Sequence, residues 1–229
     1  MERASKDFNV QFNGATIVTT VTNDPWKVEV VLAELRASLS ATPVRYFPKG
    51  LAGNVDVDRN IGLDAKYECD SKDDDIATLQ LCHGKRCLVI QLPYLASIPN
   101  TLKRFFEETT INFVGVGIKQ VAAKLERDYG LKCANSVELG SLLGRTNGRG
   151  HDHYSKFELA ELTAEILGVV IVKPQGIGQS DWGVRILTSE QVQYATIDAS
   201  ASFAMAKKLS AEDYYYSAMT QLINRWRWG

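Results

Sequence analysis

The order of strand and helix signals constrains this chain more than any single motif. Three β-rich runs, Asn60 to Cys69, Ala77 to Cys82 and Arg86 to Leu92, read together as an antiparallel meander, with acidic Asp70 to Asp75 as a solvated connection. Strand and helix signals then alternate. A helix opens at Pro99 with Leu102, Phe105 and Phe106, and the apolar run Phe113 to Ile118 reads as a buried strand. Lys119 to Tyr129 is helical and stops at Gly130, Ala134 to Leu139 is extended, and Phe157 to Leu167 is amphipathic and closes at Gly168. A long helix runs from Ser189 to Leu209, with Thr188 and Gln191 in capping-box register. A last helix from about Ala211 carries Tyr214, Met219, Leu222 and Ile223 on its core side. A meander followed by such alternation predicts an α/β fold with a mixed sheet and helices packed against it.

Ahead of this core, Phe8, Val10 and Phe12 alternate into Asn13-Gly14, a strong two-residue hairpin turn, and the chain returns through Ala15 to Thr22. Trp26 to Leu39 has helical spacing, and a Pro/Gly-containing loop follows from Pro43 to Gly53. At 229 residues the chain suits one domain: an N-terminal hairpin and helix over 8–39, a core over 60–209 and a C-terminal helix over 211–229.

A formal charge of -1 excludes a global field that would draw the chain to nucleic acid, so any such contact must be local. Arg225-Trp226-Arg227-Trp228 interleaves cations with aromatics; it reads as a base-stacking element or as a core-packing last turn with snorkelling arginines. The polar stretch Met1 to Asp7 leads into no apolar run of signal or membrane length, which predicts an intracellular protein, nuclear or cytoplasmic, with no membrane partner. Cys69, Cys82, Cys87 and Cys133 are then expected as reduced, mostly buried thiols. Cys82 and Cys87, with His83 and Gly84 between them, suit a hairpin better than zinc, because no second pair completes a tetrahedral site.

Three segments carry the candidate chemistry. Asn60 to Lys66 is an apolar strand ending in the carboxylate of Asp64, and strand periodicity puts Asp64, Lys66 and Glu68 on one face. Phe113 to Ile118 runs into the helix beginning at Lys119. Tyr194 and Asp198 stand four apart on the long helix and project from one side of it.

In these segments the chain resembles the plant Werner-exonuclease-like proteins of the 3'-5' exonuclease superfamily. The likeness is carried by Ile61-Gly62-Leu63-Asp64, Ala77 to Cys82, Phe113 to Ile118, Lys124 to Leu131, Ser180-Asp181-Trp182 and Gln191 to Ala199. It implies an RNase H-like, DnaQ-like exonuclease fold and two-metal hydrolysis of single-stranded RNA or DNA, with Asp64, Tyr194 and Asp198 in the catalytic and metal-binding roles. It also implies that the acid set is incomplete. The first motif of the family ends Asp-x-Glu, and Lys66 stands in the place of the Glu; Val121 stands where the second motif has Asp. Two carboxylates remain of four, and the Lys66 ammonium opposes a metal. A unit charge about 4 Å from a divalent ion is repelled by on the order of 8 kcal/mol, gross, at an effective dielectric near 20. Lys66 is therefore expected to pair with Asp64 and Asp198 in place of metal.

The expected function is that of a nucleic-acid-binding family member with impaired or lost hydrolysis, in which Mg²⁺ or Mn²⁺ binds weakly or not at all. One alternative is an active exonuclease on single-stranded RNA or DNA using Asp64, Tyr194 and Asp198 with a single metal and an unorthodox partner; Glu68 is an acid on the same strand face but sits two residues beyond the family's Glu position. Another is a non-catalytic protein that assembles with itself or with active relatives, since some relatives form homo-oligomeric rings. His151-Asp152-His153 follows the Gly/Asn/Arg-rich stretch Gly144 to Gly150 and reads as a solvated loop rather than a metal pair. If that loop borders a nucleic-acid groove, Arg145 and Arg149 are its phosphate contacts. Trp182 is expected to anchor packing, and Glu138 to lie near the site without ligating.

Overall fold

A computed structural model describes residues 4–41, 59–69, 73, 75–149 and 152–228, with side chains described to residue 211. The Pro43 to Gly53 loop, most of the acidic connection, His151 and the side chains of the Arg/Trp terminus lie outside these residues.

The N-terminal strands β1 (Ser5–Phe12) and β2 (Ala15–Thr22) form the expected hairpin. Asn13 and Gly14 turn it with φ of 47° and 73°, the positive pair that a two-residue turn matching strand twist requires. Helix α1 (Pro25–Ala41) follows. The meander is β3 (Asn60–Tyr67), β4 (Ile76–His83) and β5 (Arg86–Gln91). After α2 (Asn100–Glu107), β6 (Asn112–Gly115) lies parallel to β3. Next come α3 (Ile118–Tyr129), β7 (Ser136–Glu138), α4 (Leu139–Thr146), α5 (Leu159–Leu167) and α6 (Ser189–Trp228).

The seven strands form one mixed sheet in the order β1-β2-β5-β4-β3-β6-β7. The antiparallel meander lies to one side of β3 and two parallel strands to the other, the RNase H-like arrangement expected, and the hairpin extends the sheet when β2 pairs parallel to β5. Alternation along β3 sorts its side chains. Ile61, Leu63 and Ala65 join α1, α2 and α3 in the largest apolar cluster, while the intervening residues face α6. Among the described residues no helix is long and apolar enough to cross a membrane.

Three expectations change. Cys82 and Cys87 are joined in a disulfide rather than reduced, and Cys69 is exposed. The cause is register: His83 pairs with Arg86 around a two-residue turn, which sets Cys82 directly opposite Cys87 with their Cα atoms 4.2 Å apart. The expected loop begins at Asn147 rather than Gly144, because Leu139, Leu142 and Leu143 bury one face of α4 against Tyr154, Leu162 and Met205 and carry the helix to Thr146. The last two helices are a single helix, α6, whose backbone passes through Ser210 and Ala211 without a break. Neither residue breaks a helix as Pro or Gly would.

Candidate functional site

Helix α6 reaches the sheet because β3 offers it a glycine. A Cβ placed on Gly62 would lie 1.9 Å from the carbonyl oxygen of Ala199 and 2.8 Å from the amide of Phe203. That close approach sets Asp198 beside the end of β3. A buried contact of 3.0 Å between the hydroxyls of Thr19 and Thr196 ties the same helix to β2.

Asp64 and Lys66 project from β3 toward α6 and meet Asp198. The Lys66 ammonium lies 2.6 Å from Asp64 Oδ2 and 2.6 Å from Asp198 Oδ2, bridging the two carboxylates. A second cation completes the cluster. Lys173 pairs with the other oxygen of Asp198, Oδ1, and its ammonium stands 4.3 Å from the centre of the Tyr194 ring. The Lys66 ammonium is 4.9 Å from that ring and 5.9 Å from the ring of Trp182, within cation–π range of both. Asp198 is nearly enclosed at 5% side-chain exposure, whereas Asp64 and Lys173, at 24% and 21%, open to solvent.

The electrostatics follow from burial and pairing. Burial works against the Lys66 ammonium, but the carboxylates of Asp64 and Asp198 outweigh it and hold its pKa above the usual lysine range. Burial pushes the Asp64 carboxyl upward and the charge of Asp198 adds to the rise, while Lys66 pulls the other way. Without its lysine this pair of acids would share one confined space.

Tyr194 is brought to the cluster as its spacing from Asp198 implies. Its hydroxyl fits because residue 178 is glycine: a Cβ there would stand 2.7 Å from the phenolic oxygen. Trp182 is the packing anchor expected, buried beside Val192 and Ala195 with Nε1 donating to Gly178 O at 3.3 Å. The segment bearing it is stitched down from several sides. The Gln191 amide donates to Ser180 Oγ and Asp181 O, the Gln91 amide donates to the carbonyls of Val184 and Arg185, and the Tyr94 hydroxyl donates to Gly183 O. Thr188 and Gln191 close the expected capping box.

The other candidates lie elsewhere. Glu68 packs against the 181–183 turn, its Cγ 3.4 Å from a Cβ built on Gly183, and it takes no part in the lysine pairs. Val121 is buried in the apolar layer of α1, α2 and α3. Glu138 accepts from the amides of Gly117 and Ile118 at 3.0 and 3.1 Å, so it caps α3; burial raises its pKa although those two bonds oppose the rise. Arg145 and Arg149 are exposed on the α4 side, where Arg149 donates to the Tyr154 hydroxyl. Among the described residues no contact joins either arginine to the cluster, and no group of three or more His, Cys, Asp or Glu side chains could hold a metal ion.

Lys173 is the member that sequence reasoning missed. Its signal was parity in the run Val169-Val170-Ile171-Val172-Lys173. Val170 and Val172 face outward, at 78% and 82% exposure, so Ile171 packs inward and Lys173 shares its side.

The model of the 3'-5' exonuclease domain matches residues 60–212, which spans every element that builds this cluster. The chain belongs to the 3'-5' exonuclease family. It is similar to a 3'-5' exonuclease of Arabidopsis thaliana, 31% identical over 134 residues, covering 58% of this chain and 45% of that one. It is also similar to the mouse bifunctional 3'-5' exonuclease/ATP-dependent helicase WRN, 30% identical over 141 residues, covering 58% of this chain and 9% of that one. The match therefore spans less than half the length of either relative. A crystal structure of the EXD2 exonuclease domain soaked in Mg superposes with a TM-score of 0.47 at 23% identity, covering 90% of this chain and 94% of that one.

Proposed function

We propose that this member of the 3'-5' exonuclease family binds single-stranded nucleic acid at the Asp64–Asp198 cluster and has lost, or nearly lost, the ability to hydrolyse it. The observation that carries the reading is the double pairing of Lys66, 2.6 Å from a carboxylate oxygen of each aspartate.

A two-metal nuclease clamps the attacking and leaving oxygens between divalent ions, which need several anionic oxygen ligands. The residues of this cluster do not fit that pair of ions. Asp64 and Asp198 contribute two negative charges, Lys66 and Lys173 return two positive ones, and the family's remaining acid positions hold Lys66 and a buried Val121. Expelling Lys66 for a metal would strand an ammonium whose affinity for its proton these carboxylates have raised. Tyr194, with no metal-bound water to orient, is left as a wall of the pocket and a partner for both ammonium groups.

The test is an assay of the purified chain with labelled single-stranded RNA and DNA in Mg²⁺ and in Mn²⁺, beside Asp198→Ala. The reading expects no nucleotide release above that variant. Release that disappears in Asp198→Ala would establish an active exonuclease instead. A complementary measurement is calorimetric: Lys66→Glu, which replaces the cation between Asp64 and Asp198 with a third acid, is expected to increase Mg²⁺ affinity at least tenfold, and unchanged affinity would remove the site assignment.

A further inference from the structure

We infer that Lys66 and Lys173 together form a metal-independent seat for a backbone phosphate of single-stranded nucleic acid. This rests on the binding reading above and goes beyond it by naming the groups that hold the ligand and the condition under which they do so.

Position and charge carry the argument. The Lys66 ammonium sits between Asp64 and Asp198, contacting both at 2.6 Å, where a bridging cation would be held. Lys173 adds a second cation on the far oxygen of Asp198. In a complete site of this type two divalent ions balance four carboxylates; here two ammonium groups balance two. The pocket thus presents to a phosphodiester the same net charge as a metal-loaded site, with cations that are covalently tethered and cannot be chelated.

Hydrogen-bond capacity points the same way. An ammonium has three donors. Lys66 stands against two carboxylate oxygens and Lys173 against one, so even with a donor turned to each of these, one N–H on Lys66 and two on Lys173 can meet a phosphate oxygen. Access runs through the open side: Lys173 is 21% exposed and Asp64 24%, while Asp198 is closed off behind them. Lys173 lies in a segment outside any helix or strand, and Ile171 packs inward two residues earlier. Its ammonium is held at the cluster by the pair with Asp198 and by the Tyr194 ring.

The experiment is fluorescence anisotropy of a 5'-labelled single-stranded oligonucleotide, with the unaltered chain, in excess EDTA and in Mg²⁺. Affinity is expected to agree within about twofold between the two conditions. Lys173→Gln is expected to weaken binding about tenfold and to reduce the slope of log affinity against log salt by about 0.7, one phosphate contact to a single strand. Lys173→Arg should retain most of both. Binding that requires Mg²⁺ overturns this inference and leaves nucleic-acid binding intact. Metal-independent binding whose salt slope is unchanged in Lys173→Gln overturns it too, because the phosphates then bind elsewhere. No binding in either condition overturns both the inference and the binding reading. The EDTA comparison needs no variant and stands whether or not Lys173→Gln folds.

Discussion

Lys66 Nζ lies 2.6 Å from Asp198 Oδ2 across 132 residues of sequence, and it holds Asp64 at the same distance on its other side. Removing this lysine leaves two largely buried carboxylates facing each other. Lys66→Met is expected to cost about 3–5 kcal/mol at neutral pH, the usual penalty for breaking a buried ion pair from one side. The sign with pH is fixed by Asp64. Its folded pKa is already raised, and loss of the lysine raises it further, so the folded state takes up the proton first and the deficit shrinks as pH falls. Urea unfolding of both proteins at pH 7 and pH 5 measures this; a deficit independent of pH contradicts it.

The seat of α6 on β3 depends on a missing side chain. Gly62→Ala places a methyl carbon 1.9 Å from Ala199 O, a clash with helix backbone that no rotamer relieves. It is expected to lower stability by about 3 kcal/mol, at the upper end of ordinary overpacking. It also moves Asp198 away from Lys66. Nucleic-acid affinity should therefore fall even where the variant is fully folded by circular dichroism, and wild-type stability and affinity together would contradict the packing.

The Cys82–Cys87 disulfide closes only a small loop, so it constrains the unfolded chain modestly. Reduction is expected to cost about 2 kcal/mol on the chain-entropy estimate for a loop of this size. The readout is the urea midpoint with and without reductant. Cys82→Ala with Cys87→Ala should show no such difference, which excludes an effect through Cys69 or Cys133.

Stability should also decline in alkali. Burial pushes the Cys133 thiol from 9.0 up to about 12 and the Tyr129 phenol from 10.0 up to about 12. The unfolded chain releases these protons first. The stabilisation is full below about pH 9 and drains as pH rises toward 12, with Lys66 contributing in the same direction above its ordinary value of 10.5. Urea midpoints from pH 8 to pH 11 should fall for the natural chain and begin falling later in Cys133→Ala. A level profile would contradict the burial of these groups.

Much of this was legible from residue order because the signals are local. The alternation along β3 put Asp64 and Lys66 on one face, and the four-residue step put Tyr194 and Asp198 on one side of α6. Asn13-Gly14, Gly130 and Gly168 marked their turn and helix ends because only a residue tolerant of positive φ fits there. Helix α4 escaped because its last turn overlaps Gly144 to Gly150, whose composition reads as loop, and its first turns follow directly on an extended run. Gly140 is in fact a packing residue, with Tyr154 O only 2.5 Å from where a Cβ would be.

What the sequence by itself determined is most of the elements, their order and the chemistry each carries, since strand alternation and helix periodicity are properties of neighbouring residues. Tertiary structure alone decided which cations meet which acids. Lys173 reaches Asp198 from a segment whose alternation could at most say which side it faces, not which acid it meets, and Cys82 meets Cys87 only through the pairing of β4 with β5. Such contacts depend on backbone register and on one glycine that lets a helix touch a strand, and neither can be read from a run of residues in isolation.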